Sequence, residues 1–274
     1  MAKHRSKWNS NRYHRLLTEG RGQGTMENYM PWITVHDLAS KGVSSRIPGH
    51  TTGRIHHTLS SLETMFFYIL DHSEKVLDIR EQFPLLSVYE TLRIAKNAGI
   101  RHPRDNASRY PYVMTTDFLI TTPEGLTARS IKHSSELSKA RVREKLEIER
   151  RYWEEKGIEW RIVTENEINR QRAVNLQWIH RAWHYPEMLP EGGDAMQVRT
   201  FFKELYLSTN MSVAEIGRRT EEHFGLGMGL GLTTFQYMLL HHEIEADLDK
   251  PLDLVSKRPG KREGGAYSWI EMFV

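Results

Sequence analysis

The stretch from Tyr112 to Lys132 constrains this chain most, because its composition and punctuation fit two strands folded back on each other. Tyr112–Thr121 is rich in Val, Thr, Phe and Ile, residues that suit a pleated, half-buried surface. Pro123-Glu124-Gly125 supplies turn chemistry, and Leu126–Lys132 reads as the returning strand. Folding about Glu124 and Gly125 sets Asp117 opposite Lys132, with Cβ atoms about 5 Å apart. Side chains alternate along a strand, so Ala128, Ser130 and Lys132 share one face while Arg129 and Ile131 take the other.

The flanking segments predict an α/β core of roughly 140 residues. Leu62, Met65, Phe66, Ile69 and Leu70 recur at three-and-four spacing after Ser60, a helix N-cap residue. Val76–Arg80 reads as a short strand, with Pro84 ending it, and residues 87–110 read as irregular. Ser134–Lys156, dense in Glu, Lys, Arg and Leu, predicts a helix with Gly157 as its C-terminal cap. Ile158–Thr164 adds another strand.

After about Glu167 the composition turns helical, with candidate helices at 168–183, 196–208, 212–224 and 232–247. Ser212 and Glu215 match a capping box, and the glycines of 225–231 separate the last two helices. A helix pair followed by a basic turn and the strand-like Tyr267-Ser268-Trp269-Ile270 suggests a helix-turn-helix with a wing. The alternative is a small helical bundle that docks on another protein. The expected organisation is a basic segment at 1–25, an α/β domain at 26–167, and a helical or winged-helix domain at 168–274 that binds DNA or a partner protein. Trp178, Trp183, Phe201, Phe202, Leu205 and Tyr206 read as core rather than as a base-stacking surface.

Among 274 residues there is no cysteine, which removes disulfides, thiolate nucleophiles and Cys-type zinc sites together and fits a reducing cytoplasm. Any metal must be held by oxygen or imidazole. No run is long and uncharged enough for a membrane span. The net charge of +3 is mild, but it is clustered. Lys3, Arg5, Lys7, Arg12, Arg15 and Arg21 face the single acid Glu19, and Lys257, Arg258, Lys261 and Arg262 form a second block. Both blocks are candidate phosphate contacts; the alternative is solvated charge.

An acid facing a lysine across a hairpin suits phosphodiester hydrolysis, in which carboxylates hold divalent ions and a lysine orients or activates the attacking water. Hard oxygen ligands favour magnesium, with manganese as a substitute. Glu63, in the first turn of the apolar helix, offers the second carboxylate. Spacing alone leaves plainer readings open: Ser60 and Glu63 also form a capping box, and Asp117 with Lys132 also fits an ordinary cross-strand ion pair. His56-His57 and His241-His242 lack ligand spacing, and no Lys-Ser or Lys-Thr follows the glycines at 225–231 in phosphate-loop register.

Longer runs narrow the choice. Glu-Gly-Arg-Gly-Gln-Gly at 19–24, Met-Pro-Trp-Ile-Thr-Val at 30–35 and Gly-Arg-Ile-His-His-Thr-Leu-Ser-Ser-Leu-Glu at 53–63 are three of them. Leu-Asp-Ile-Arg-Glu-Gln-Phe-Pro-Leu-Leu at 77–86 and Lys-Leu-Glu-Ile-Glu-Arg-Arg-Tyr-Trp at 145–153 are two more. From Glu19 to Asn169 the chain resembles the TnsA family, the endonuclease subunits of heteromeric cut-and-paste transposases of bacteria.

That resemblance implies a restriction-endonuclease-like core, a mixed sheet flanked by helices, with Glu63, Asp117 and Lys132 as catalytic residues. It implies two Mg2+ ions held by Glu63, Asp117 and the Ile131 carbonyl. The family carries Gln two residues before the lysine, where this chain has Ser130, a further catalytic candidate through metal-bound water, whose shorter hydroxyl reaches less far and implies weaker binding of the second ion. Glu149 is a candidate one contact behind the ligands, the alternative being a solvated helix charge. The implied reaction is hydrolysis of the strand at each transposon end that is not later joined to target. A TnsB-like transposase would cut the other strand, and a TnsC-like ATP-dependent regulator would couple cutting to target choice, in the cytoplasm at the nucleoid. Two rival readings are a catalytically weak assembly subunit bridging DNA, transposase and regulator, and a stand-alone nuclease of the same fold.

Overall fold

The computed structural model describes residues 8–37 and 43–258. The central hairpin is β4 (Thr115–Thr122) and β5 (Gly125–Ile131). Its turn is tighter than the sequence suggested. Thr122 pairs with Gly125, so Pro123 and Glu124 alone make the connection, and Gly125, at φ +129°, begins the strand instead of forming the tip. Phe118 therefore stands opposite Arg129, and the same register carried on would set Asp117 against Ser130, not Lys132. Because the displacement is two residues, every side chain keeps its expected face.

Four strands form one sheet in the order β3-β4-β5-β6, with β3 at Asp78–Pro84 and β6 at Glu159–Val163. The first two pairings are antiparallel and β5–β6 is parallel, which makes the sheet mixed. Helix α2 (Ser61–Asp71) covers one face, where Phe66, Phe67 and Leu70 pack with Ile79, Phe118, Ile120, Ile131 and Val163. Helices α3 (Val88–Asn97) and α4 (Ala140–Glu155) supply the second core, in which Ile94, Ala95, Ile148, Tyr152 and Trp153 meet Leu85, Leu119 and Ala128. Gly157, at φ +67°, follows the end of α4 in the left-handed conformation that a C-terminal cap requires.

Helix α3 corrects the expectation of irregular structure over 87–110. Ser87 Oγ accepts the Tyr89 N–H at 3.2 Å, and Val88, Thr91, Ile94 and Ala95 form the buried stripe. Strand β3 also runs further than Arg80, to Pro84 itself.

Two N-terminal elements complete this unit. Asn9 Oδ1 caps α1 (Ser10–Thr18) by accepting the Arg12 N–H at 2.9 Å, and Leu16 joins Trp8, Trp32 and Val113 in a small aromatic core. Strands β1 (Ser45–Pro48) and β2 (Ile55–Thr58) form a separate antiparallel hairpin. In the basic segment, Arg12 and Arg21 are pinned on Asp37, at 3.3 and 2.5 Å; Lys3, Arg5 and Lys7 lie outside the described residues.

The chain divides into two compact units, Met1–Asn169 and Arg170–Val274. The second is helical: α5 (Arg170–Ile179), the short α6 (Tyr185–Met188), α7 (Ala195–Ser208), α8 (Val213–Phe224) and α9 (Leu230–Leu240). Ser212 Oγ caps α8 through the Glu215 N–H, as its spacing suggested. Helices α8 and α9 touch at Gly217 and Gly231, where a Cβ on Gly231 would stand 2.2 Å from the Gly217 carbonyl oxygen.

The second helix of this pair is inward-facing. No residue of α9 is fully exposed, because Phe235, Met238, Leu239 and Leu240 make it the core of the bundle. Tyr267–Ile270, the expected wing, lies outside the described residues, as do Lys261 and Arg262. Lys257 is exposed. Arg258 turns inward: its guanidinium donates to the Thr209 and Met211 carbonyls and lies 3.7 Å from the centre of the Tyr206 ring. Phe202 is fully buried against Tyr206 and Phe235, as expected of core. Among the described residues no helix is long and apolar enough to cross a membrane.

Candidate active site

The hairpin splits at Asp117. Strand β4 stays paired with β3 as far as Thr115, but its pairing with β5 stops at Phe118–Arg129, while β5 runs on to Ile131 beside β6. The Asp117 carboxylate fills the split, where its Oδ2 accepts the Ile131 N–H at 2.7 Å, so a side chain replaces a strand carbonyl as acceptor. The same oxygen accepts the Lys132 ammonium at 2.7 Å, and Lys132 Nζ also donates to the Ile131 carbonyl at 2.9 Å. Burial pulls the Lys132 pKa down, but the charge and hydrogen bond of Asp117, with Glu149 and Glu63 beyond, carry it above the ordinary lysine value. Lys132 is therefore a held cation.

Glu63 meets this group from α2. Its N–H donates to Ser60 Oγ at 3.2 Å, its Oε1 accepts the Ser60 hydroxyl at 2.9 Å, and its Oε2 accepts the Leu59 N–H at 2.9 Å. The capping arrangement and the site are thus the same carboxylate. Only 6% of Glu63 and 8% of Asp117 is exposed. Burial and the nearby charge of Asp117 push the Glu63 pKa up to about 7.

A buried ion cluster fixes the approach to Glu63. Arg54 clamps Glu81 through both terminal nitrogens, at 2.9 and 2.5 Å, while His56 Nδ1 lies 2.8 Å from the same carboxylate. Burial would raise the Glu81 pKa; His56 and Arg54 outweigh it and hold it well below the usual range. This cluster ties β2 to β3, and Leu59 follows directly from β2. His56 is thereby a structural residue, as its lack of ligand spacing suggested.

Ser130 and Glu149 form a second layer behind Asp117 and Lys132. Ser130 is 1% exposed, and its hydroxyl donates to Glu149 Oε1. That oxygen also accepts the Thr116 hydroxyl at 2.7 Å and the Trp160 Nε1–H at 3.1 Å. Glu149 is buried, not a solvated helix charge, and burial followed by the Asp117 charge pushes its pKa up to about 7.

Spacing gave no signal for one further residue. Gln82, on β3, donates from Nε2 to Glu63 Oε2 at 3.3 Å and reaches Asp117 Oδ1 at 3.5 Å.

Two buried carboxylates, a backbone carbonyl and a lysine gathered at the split of a hairpin, on a mixed sheet flanked by helices, define an α/β domain of the restriction-endonuclease-like class. The chain belongs to the TnsA endonuclease family. Residues 73–165 match the family described as TnsA-like endonuclease N terminal, and residues 167–248 match TnsA endonuclease C terminal. The transposon Tn7 transposition protein TnsA of Escherichia coli is 44% identical over 183 residues, covering 66% of this chain and 66% of that protein, just under two thirds of its length. Asp117, Lys132 and Glu149 fall inside the first match, whereas Glu63 precedes it and is placed by geometry.

Proposed function

We propose that this chain is a metal-dependent DNA endonuclease subunit of a cut-and-paste transposase, cutting the non-transferred strand, at its 5′ ends, at transposon-end DNA. The observation that carries the proposal is the convergence of Glu63 from α2, Asp117 from β4 and Lys132 from the end of β5 at one partly open point. The Lys132 side chain is a third exposed there, so the group is reachable from solvent.

The donor set fits a hard divalent cation, Mg2+ or Mn2+. Glu63 and Asp117 are buried close enough for the charge of one to raise the pKa of the other, a repulsion that a cation between them would relieve. Among the described residues no group of three His, Cys, Asp or Glu side chains forms a metal cage. The holding residues would be Glu63, Asp117 and the Ile131 carbonyl, completed by water and phosphate oxygens, with two ions as the proposed stoichiometry. Bound there, the metal supplies Lewis-acid polarisation of the phosphate and acidification of the attacking water. Asp117 holds Lys132 protonated beside the reacting groups, where its ammonium orients the attacking water and offsets charge on the phosphate. Ser130 acts through Glu149, which braces Thr116 and so the strand that carries Asp117.

The partners proposed are a TnsB-like transposase, which would cut the other strand, and a TnsC-like ATP-dependent regulator. The helical unit would dock DNA or one of these partners, and the setting is the bacterial cytoplasm at the nucleoid. The test is cleavage of strand-labelled transposon-end duplex by the assembled subunits in Mg2+, in Mn2+ and with chelator. Cutting confined to one strand and abolished by chelator supports the proposal; metal-independent cutting contradicts it.

A further inference from the structure

Gln82 combines a rare backbone with a buried, directed side chain. It is skipped in the β3–β4 register, where Glu81 pairs with Phe118 and Phe83 with Thr116, leaving Gln82 beside Asp117. Its φ is +48°, the left-handed region that a residue with a Cβ adopts only when its surroundings enforce it. The Gln82 carbonyl accepts the Trp32 N–H at 3.3 Å, and the residue is 3% exposed. Thr115 donates its hydroxyl to Gln82 Oε1 at 3.2 Å, which orients the amide with Nε2 toward the two carboxylates.

The amide meets a need that nothing else there meets. Asp117 Oδ2 is taken by the Ile131 N–H and Lys132, while Gln82 is the donor that reaches Oδ1 among the described residues. Glu63 Oε2 already accepts the Leu59 N–H and takes its second contact from Gln82. A neutral group with two donors can stand between two carboxylates and ease their repulsion without cancelling the charge a cation needs. A lysine there would compete with the cation, and an apolar side chain would leave the repulsion unrelieved.

We infer that Gln82 is a positioning residue, whose amide, delivered by a left-handed turn in β3, sets the spacing of Glu63 and Asp117 for a divalent cation. This rests on the metal-dependent reading proposed above. The strained backbone and the amide are separable by substitution. Gln82→Gly accepts the left-handed conformation and deletes the amide, whereas Gln82→Glu keeps the shape and replaces the donor with a third carboxylate.

The experiment is a thermal melt of the full chain without DNA at neutral pH across a Mn2+ titration. Loss of an outer hydrogen-bonding partner weakens metal sites by about 10–100-fold, so half-saturation for Gln82→Gly is expected to move up by at least about tenfold. Added ligand charge strengthens such sites, so Gln82→Glu is expected to move half-saturation down while lowering the melting temperature without metal. If Gln82→Gly does not fold, the sign of the Gln82→Glu shift decides. A native chain that binds Mn2+, with folded variants at the same half-saturation, overturns the inference alone. A native chain with no Mn2+-dependent shift overturns both it and the metal-dependent reading.

Discussion

Lys132 and the Ile131 backbone amide share one oxygen of Asp117, each at 2.7 Å. The hydrogen bond from the Ile131 N–H holds the hairpin apart at that point, and the ammonium follows because Lys132 is the residue directly after β5. Strand separation and lysine placement are thus two consequences of one carboxylate. The following expectations use that geometry.

Stability without metal should fall as pH rises through neutrality. Glu63 and Glu149 have pKa values raised from 4.5 to about 7, so the folded chain binds protons more tightly than the unfolded one. The associated stability is fully present below about pH 4.5 and is lost as pH climbs through 7, by at most about 3 kcal/mol per group. Glu81 acts in the opposite sense: its lowered pKa gives stability present above the ordinary glutamate range and lost on acidification. Urea unfolding across this window should show the decline, and Glu149→Gln should flatten part of it. An unchanged slope in Glu149→Gln would remove Glu149 as a source.

Ser130 and Glu149 should differ in what their loss costs. Ser130→Ala leaves Glu149 with Thr116 and Trp160, so the cost should be about 1 kcal/mol, with cleavage reduced less than about tenfold. Glu149→Ala strands the hydroxyl donors of Thr116 and Ser130, while Trp160 keeps Ser130 Oγ at 3.2 Å, and should cost about 3 kcal/mol. Denaturant unfolding and cleavage rates measure the two. A Ser130→Ala chain as inactive as Lys132→Ala would place the hydroxyl on the reacting groups themselves.

The α8–α9 contact should not tolerate a methyl group. Gly231→Ala pushes a Cβ to 2.2 Å from the Gly217 carbonyl oxygen, and backbone on both sides leaves no flexible side chain to yield. A loss of about 1–3 kcal/mol is expected, seen as a lower melting temperature; a melt matching the native chain would mean that the helices do not meet at these glycines.

Local pattern made the hairpin, α2, α4, β6 and the C-terminal helices legible in sequence, because each carries its own periodicity and punctuation. Helix α3 was missed although Ser87 and Glu90 stand at capping spacing. Its buried stripe includes Thr91 and Ala95, which add little to an apolar count. Strands β1 and β2 were missed because each has four residues, and β2 places polar His56 and Thr58 in its buried positions. The HTH-like spacing of α8 and α9 was visible, but the burial of α9 depends on what surrounds it.

At the candidate site, residue types told more than register did. Asp117 and Lys132 were paired from the hairpin, and they do meet, although the two-residue turn sets Asp117 toward Ser130 in the ladder. Glu63 was legible as a cap, and its carboxylate makes the capping contacts while lying near the charge of Asp117. Gln82 was not legible, because neither a left-handed strand residue nor a contact across 35 positions leaves a periodic trace. Glu149 was visible as an acid on a helix, but only the fold shows that Ser130, Thr116 and Trp160 converge on it.

The most direct measurement is strand-specific cleavage of labelled transposon-end DNA by the chain with its partner transposase and regulator in Mg2+, comparing native protein with Asp117→Ala and Lys132→Ala. Loss of non-transferred-strand cutting by at least about a hundredfold in both variants, with folding and assembly intact, is the expected result. Cutting by both variants at the native rate in a verified complex would contradict the assignment of this carboxylate–lysine pair as the reaction centre.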